Sequence, residues 1–171
     1  FVAFLSLAMV LAFTGLLMAK EEVIKIGIYA DLSAGTAQWG TDAVKGAKLI
    51  IKEINAAGGV LGKKIEPVIY DSKVSPTEGV KAYTRLVNED RVPAVYGSLL
   101  SNMGLAVSPV AEKLKVPVVA RCMDERVTTP DFKMEDPENP GRVNPYFFLL
   151  QPSSYQQSYL IGGYAIDELK M

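Results

Sequence analysis

The amino-acid sequence predicts an α/β fold with a doubly wound parallel sheet. Short apolar runs rich in β-branched residues recur along the chain, and segments with helical periodicity separate them. Four such strands alternate with three helices between residues 23 and 120. Because a helix-length segment between consecutive strands returns the chain to the same end of the sheet, the strands are expected to run parallel.

The first unit of this pattern is a strand, a loop and a helix. Residues 23–30 are apolar and β-branched, which predicts a buried strand, and residues 32–40 are the predicted loop. Asp31 is expected to hold that loop through an Asx-type hydrogen bond. A helix ending near Asn55 follows, because apolar residues recur there at helical spacing: Ala43, Val44, Ala47, Ile50, Ile51 and Ile54.

The second unit is a strand at residues 65–71 and a helix that ends near residue 88. Pro67 lacks a backbone N–H, which favours an edge position for this strand. Ser75, Pro76 and Glu78 combine an N-cap serine, a first-turn proline and a glutamate at the third helical position. This pattern predicts a capping box.

The remaining units are less regular. Residues 94–96 and 116–120 are predicted strands, and the helix between them contains Pro109, which predicts a bend or a late start. Residues 121–145 show no periodicity, and a loop of that length is usually functional or disordered. A strand at residues 146–150 and a helix at residues 158–170 complete the prediction.

The composition excludes several classes of function. The 171 residues contain no histidine, which removes serine-histidine-aspartate and cysteine-histidine catalysis and the usual zinc sites. Cys122 is the only cysteine and is expected to be a packed small residue rather than a nucleophile. A formal net charge of -1 offers no basic field for nucleic acid or an anionic membrane surface. No catalytic residue, metal site or cofactor is predicted.

Residues 1–19 are almost uninterrupted apolar sequence and are set apart from the fold. Their length and composition fit two alternatives, a secretory signal peptide cleaved after Ala19 or a retained N-terminal membrane anchor. In either case the rest of the chain is predicted to be exported. The first residue is not methionine and no element closes the last helix, so the chain is predicted to be cut short at both ends.

Five segments together carry a resemblance to a known family. They are the first strand, residues 37–40 (AQWG), residues 54–62 (INAAGGVLG), the strand that closes on Asp71, and residues 116–119 (VPVV). They resemble the N-terminal half of a branched-chain-amino-acid-type periplasmic binding protein, over residues 22–170. The resemblance implies a type I two-lobed fold, with an N-terminal lobe at residues 20–150 and a crossover into an incomplete second lobe at residues 151–171.

The resemblance also implies a function in ligand binding and transport, in which no bond is made or broken. A small polar ligand, an amino acid or a related amide or carboxylate, is bound between two lobes and delivered to an ABC permease by a monomeric carrier. Two other hypotheses stand beside it. A nucleotide- or flavin-dependent enzyme predicts a G-x-G-x-x-G turn, which residues 32–40 lack. A membrane-anchored sensory ectodomain of the same fold would keep residues 1–19.

The candidate ligand contacts that follow from the resemblance are Trp39, Ser98, Ser101, Asn102, Met123 and Asp124. Ser101 matches a family serine whose hydroxyl and neighbouring N–H groups hold the ligand's carboxylate, as a helix N-terminus can. Trp39 matches the loop that covers the ligand. Ser98 and Asn102 are turn residues or further donors.

Met123 and Asp124 follow the fourth strand, where the family often has a Ser/Ala-Thr segment that supplies further donors. Here the segment reads Arg121-Cys122-Met123-Asp124. Arg121 and Asp124 either bind a different polar group of the ligand or form a surface ion pair with each other. Ser154 stands where many relatives have aspartate.

Overall fold

The computed structural model describes residues 22–97 and 99–170. The signal or anchor segment, residues 1–19, and the candidate contact Ser98 therefore lie outside the described residues. Within these two ranges, no helix is both long and apolar enough to cross a membrane. The helices and strands of this part are β1 (Val23–Ala30), α1 (Ala37–Ala56), β2 (Lys64–Asp71), α2 (Pro76–Asn88), β3 (Val95–Gly97), α3 (Ser101–Leu114), β4 (Val118–Ala120), β5 (Phe147–Leu149) and α4 (Ser154–Asp167).

The strands form one five-stranded sheet in the order β2-β1-β3-β4-β5. Every neighbouring pair is parallel, which confirms the predicted fold class. Strand β2 lies at an edge of the sheet, as Pro67 predicted. The order reverses beside β1, since β2 lies on one side of it and β3 on the other, so this is the switch point of a doubly wound sheet.

The helices cover both faces of the sheet, and β1 shows how. Successive side chains of a strand point to opposite faces. Tyr29 is fully buried in the larger cluster with Leu86 of α2 and Met103 of α3. Its neighbour Ile28 packs in a second cluster with Val44 of α1. Helix α1 therefore covers one face, and α2 and α3 cover the other.

Helix α1 begins earlier than the sequence predicted and orients one residue differently. It starts at Ala37, inside the predicted loop, so Trp39 lies in its first turn. This turn lies before the first residue of the apolar stripe, so a periodicity argument did not include it. Ile50 was expected to face the sheet, but it is 54% exposed because Val44 and Ala47 occupy the packed stripe.

The helix starts that follow also differ in part. The Ser75 hydroxyl accepts the Glu78 N–H, as predicted, but the Glu78 carboxylate accepts from Lys81 instead of closing the capping box. Helix α3 starts at Ser101 and continues through Pro109, so no late start occurs. Helix α4 starts at Ser154, four residues before its predicted start, and its capping box joins Ser153 and Gln156.

The aperiodic segment between β4 and β5 is folded against α3. A 3-10 helix at Glu125–Val127 is anchored by Val127, which is fully buried. The Ser108 hydroxyl donates to the Val127 carbonyl oxygen at 2.6 Å. Farther along, the buried Asn144 side chain donates to the Ser108 carbonyl oxygen at 2.9 Å. The segment is held by a few long-range contacts, which leave no periodic signal.

Candidate functional site

The candidate site lies where three neighbouring strands end. Strands β3, β4 and β5 are adjacent and parallel, so their carboxyl ends lie at the same edge of the sheet. The chain after these ends carries Ser101, the pair Met123 and Asp124, and Ser154. In open α/β sheets ligands bind at this edge, in the crevice outside the strand ends.

Two hydrogen bonds connect the three strand ends. The Ser154 N–H donates to the Met123 carbonyl oxygen at 2.7 Å. The Met123 N–H donates to the Ser101 hydroxyl oxygen at 3.1 Å. Because that hydroxyl accepts from Met123, its own proton is directed to another acceptor. Ser101 and Ser154 are also the first residues of α3 and α4, so two helix N-termini converge here.

These residues line a cavity of about 670 Å³. Of the sequence-predicted contacts, the structure brings together Ser101, Met123 and Asp124 in its wall. The volume is in the range of small-molecule sites. An apolar part of the wall is formed by Phe132 and Tyr155, whose ring centroids are 5.1 Å apart in an edge-to-face arrangement. The cavity thus combines polar groups at the strand ends with an aromatic side.

Asp124 forms an ion pair, but with a different partner from the predicted one. Its carboxylate accepts from Arg126 Nε at 2.9 Å and Nη2 at 2.7 Å, a bidentate pair, so the expected pair with Arg121 is wrong. The Arg126 side chain holds the pKa of Asp124 below its ordinary value. Asp124 also accepts the Arg126 backbone N–H at 3.0 Å, which caps the 3-10 helix. The short helix, absent from the sequence prediction, explains the change of partner.

Three other candidates lie elsewhere. Trp39 is 58% exposed in the first turn of α1 and is not among the described residues that line the cavity. It does follow β1, so it belongs to the same carboxyl edge of the sheet as Ser101. Asn102 is in the first turn of α3, where its side-chain oxygen accepts the Met103 N–H. Ser98 lies outside the described residues.

The loop after β1 is held by two carboxylates. Asp31 is buried and accepts from Ser72 Oγ at 2.6 Å, Thr36 Oγ1 at 3.1 Å and the Val74 N–H at 3.2 Å. Asp31 does fix this loop, through the Thr36 hydroxyl and the turn after β2, but the predicted Asx-type bond is wrong. Asp71 holds the same loop by accepting the Leu32 N–H at 2.9 Å.

Sequence reasoning missed several residues of the cavity wall. Glu125, Arg126 and Phe132 come from the aperiodic segment, and no local pattern marks them. Ser154 and Tyr155 had a signal, because Ser153 followed three residues later by Gln156 is a capping-box pattern. That pattern places a helix start at the strand ends. Cys122 is buried, and its thiol contacts the Leu100 carbonyl oxygen at 3.7 Å, which confirms the prediction of a packed residue.

A comparison with protein families matches residues 23–171 to the model described as periplasmic binding protein. The chain belongs to this family. The sequence-based resemblance to branched-chain-amino-acid-type members is thereby confirmed. Members of the periplasmic binding protein family and the relatives named below are substrate-binding proteins rather than enzymes, and the family is extracytoplasmic.

Among curated relatives, the leucine-specific-binding protein of Salmonella typhimurium is 36% identical over 94 residues, which are 55% of this chain and 25% of that protein. The chain thus spans about a quarter of that relative's length.

Two solved structures resemble this chain. The first is a branched-chain amino acid transporter substrate binding protein from Streptococcus pneumoniae in complex with isoleucine. It has a TM-score of 0.71 and 31% identity, over 87% of this chain and 39% of that one. The second is an ABC transporter solute binding protein from Rhodopseudomonas palustris in complex with 3,4-dihydroxy benzoic acid. Its TM-score is 0.67 at 25% identity, over 84% of this chain and 36% of that one.

Proposed function

We propose that this chain is the first lobe of an extracytoplasmic carrier. The carrier captures a small polar ligand with an acid group, an amino acid or a related amide or carboxylate, and delivers it to an ABC importer. One observation carries the proposal. The Ser101 hydroxyl lies at the start of α3, in the wall of the cavity at the carboxyl edge of the sheet, and accepts the Met123 N–H.

The chemistry at Ser101 favours an anion. A helix N-terminus presents unpaired N–H groups and a partial positive charge. The Met123 N–H occupies an acceptor position of the hydroxyl, so its proton is left for a ligand oxygen. The start of α4 adds a second helix N-terminus at the same cavity through Ser154. A carboxylate bound here would accept the proton of the Ser101 hydroxyl and would lie near the positive ends of both helices.

The relatives support this class of ligand. The two solved complexes hold isoleucine and 3,4-dihydroxy benzoic acid, which share a carboxylate and differ in the rest of the molecule. The residues of this chain beside Ser101 include an aromatic pair, Phe132 and Tyr155, which suits an apolar or aromatic portion of the ligand.

Helix α4 supports the proposal that residues 151–171 lead into a second lobe. None of its residues is buried, and its exposed apolar side chains include Leu160 at 66% and Ile161 at 70%. Such a face is normally covered by another element. In the proposed mechanism the ligand binds the closed arrangement of two lobes more tightly and so shifts the population toward closure. The carrier is monomeric and catalyses no reaction.

The proposal is tested with the protein expressed from its complete reading frame. Titration calorimetry against a panel of amino acids, amides and aromatic acids should identify at least one solute that binds. Ser101→Ala should then weaken binding by about 1–3 kcal/mol, because a ligand oxygen loses its partner. Unchanged affinity would remove Ser101 from the site.

A matched control is Ser75→Ala. Ser75 also stands at a helix start, where its hydroxyl accepts the Glu78 N–H, but it does not line the cavity. This variant should lower stability by about 1 kcal/mol and leave affinity unchanged. Equal losses of affinity in both variants would show that a change at a helix start, rather than a lost ligand contact, explains the effect.

A second candidate is a membrane-anchored sensory ectodomain of the same fold. The observation that favours it is the apolar sequence of residues 1–19, which approaches the length of a membrane span of about 20 residues. N-terminal sequencing of the protein from native membranes separates the two. A mature chain that begins near Lys20 supports the carrier, and a chain that retains residues 1–19 supports the anchored form.

A further inference from the structure

Glu125 occupies a rigid position in the wall of the cavity. It is the first residue of the 3-10 helix, and its carbonyl oxygen accepts the N–H groups of Thr128 at 3.1 Å and Thr129 at 3.0 Å. The Thr128 hydroxyl donates to the same oxygen at 3.1 Å. The fully buried Val127 fastens this turn to α3. The backbone of Glu125 is therefore fixed from several sides.

The side chain of Glu125, in contrast, lacks a donor. Its Oε2 is covered from solvent and has no hydrogen-bond partner among residues 22–97 and 99–170. The nearest cation in sequence, Arg126, donates its Nε and Nη2 to Asp124 and makes no hydrogen bond to Oε2. The other charged residues of the cavity wall are Lys133 and Glu135, which lie exposed in the loop that follows.

A covered acceptor without a donor is costly. The oxygen has given up hydrogen bonds to water and has received none in return. Here the acceptor is part of a carboxylate side chain on a fixed backbone, and the residue that carries it lines the cavity that contains Ser101. The missing donor is most simply supplied by what enters the cavity. Binding sites gain specificity when a polar group of the site is satisfied only by the correct ligand.

We infer that Glu125 is a specificity-determining residue that accepts a hydrogen bond from an N–H or O–H group of the ligand. This inference rests on the proposed function and narrows the substrate class. The ligand is an acid that also carries a hydrogen-donating group, such as an ammonium, an amide or a hydroxyl. The acid group of the ligand lies at Ser101, and its hydrogen-bond donor lies at Glu125. Asp124 is already paired with Arg126.

The test uses the protein from its complete reading frame and matched pairs of carboxylic acids that differ by one donor. Two such pairs are norleucine with hexanoate and 4-hydroxybenzoate with benzoate, each measured by titration calorimetry. The wild type should prefer the donor-bearing member of the pair that it binds. Glu125→Met, which removes the acceptor at similar volume, should reduce that preference by about tenfold or more. Glu125→Gln, which keeps one acceptor oxygen, should restore part of it.

Glu135→Met is the matched control, since it removes a carboxylate from the same cavity wall at an exposed position. It should leave the preference unchanged. An equal change in Glu125→Met and Glu135→Met would overturn the inference, because it would reflect the net charge of the cavity. An unchanged preference in Glu125→Met would overturn it as well, as expected if a buried water satisfies Oε2. Neither result affects the proposed function, which fails if no solute of the panel binds.

A measurement without ligand tests the same inference. If Oε2 lacks a donor in the empty protein, Glu125→Met removes a covered oxygen without a partner and should raise Tm by about 2 °C. A fall of Tm by that amount or more would show that the protein itself satisfies the carboxylate. That result would overturn the inference.

Discussion

Two segments at the carboxyl edge of the sheet, one after β1 and one after β4, differ in how their carboxylates are hydrogen-bonded. After β1, Asp31 is buried and receives three donors from within the protein. After β4, Glu125 has a covered oxygen with no donor among the described residues. The carboxylate of the first segment has its hydrogen bonds made within the protein, without a ligand. The second retains unused hydrogen-bonding capacity beside a cavity, which is what a binding site requires.

The first segment also compensates for backbone strain. Lys73 and Val74, in the turn after β2, both have positive φ, near 52° and 57°. This conformation is costly for residues other than glycine, and most of all for a β-branched one. Their N–H groups donate to Asp71 and Asp31, the carboxylates that hold the β1 loop. The same two side chains thus stabilise both turns, and this edge of the sheet serves as framework.

The largest effect expected from this comparison is at Gly40. A Cβ at this position would overlap the backbone carbonyl oxygen of Asp31, and backbone atoms cannot rotate away as a side chain can. Gly40→Ala should therefore destabilise the protein by about 3 kcal/mol or more, measured by denaturant unfolding. In the same helix, a methyl group added at Gly46 would meet no heavy atom within 4 Å, so Gly46→Ala should stabilise by about 0.5–1 kcal/mol. A similar cost at both positions would contradict the close packing of α1 on Asp31.

The next effect is at Asp31 itself. Asp31→Ala leaves the Ser72 hydroxyl and the Val74 N–H without their acceptor and should cost about 2–3 kcal/mol of unfolding free energy. Asp42→Ala is the control, because Asp42 is exposed on α1 and pairs only with Gln38 and Lys45 at the surface. Its cost should stay below about 1 kcal/mol. Equal costs would mean that the buried network contributes no more than a surface contact.

A third prediction concerns binding rather than stability. Trp39 and Leu49 lie on the same helix with almost the same exposure, 58% and 57%. If Trp39 covers the ligand, Trp39→Ala in the complete protein should weaken binding by about tenfold, while Leu49→Ala should not. Both variants should change the unfolding free energy by less than about 0.5 kcal/mol, because neither side chain is packed. An equal affinity in both variants would place Trp39 outside the site.

The sequence predicted the framework better than the site, and the reason is physical. Strand β1 is largely apolar over eight residues because both of its faces are covered, and helix α2 keeps a helical period over 13 residues because one face is buried. The sequence placed Asp31 in the loop after β1 but did not predict its partners Ser72 and Val74. Ser101 and Asp124 were recognised through a family resemblance. Their place in one cavity is now established by the structure, whereas their contact with a ligand stays a prediction.

What escaped prediction depends on contacts that have no sequence period. The partner of Asp124 is Arg126 because a 3-10 turn brings them together, and that turn is anchored by Val127 beneath α3. No sequence pattern marks Glu125 either, because its importance comes from a hydrogen-bond donor that its Oε2 lacks within the described part of the chain. Ile50 was assigned to the buried face because its spacing allowed it, although a helix that packs on a sheet buries only a narrow stripe.

The smallest predicted effect compares the two segments by acid titration. Burial by itself raises the pKa of Asp71, but the hydrogen bonds from Ser33, Leu32 and Lys73 outweigh it and hold the pKa below its ordinary value. The hydrogen bond from Arg126 lowers the pKa of Asp124 in the same direction. Each lowered pKa contributes stability that is present above about pH 4 and is lost as the pH falls through the folded-state pKa. Asp71→Asn and Asp124→Asn should each flatten the stability curve below about pH 4.

Salt separates the two contributions. Asp71 is held mainly by neutral donors, whereas the Arg126 side chain that holds Asp124 is 57% exposed. Added salt screens an exposed ion pair, whose worth is about 0–1 kcal/mol, and affects neutral hydrogen bonds little. The difference between wild type and Asp124→Asn should therefore shrink in about 1 M NaCl, while the difference for Asp71→Asn persists. If salt reduces both stability differences equally, charge holds the β1 loop as much as it holds Asp124. The two segments would then not differ in their electrostatics.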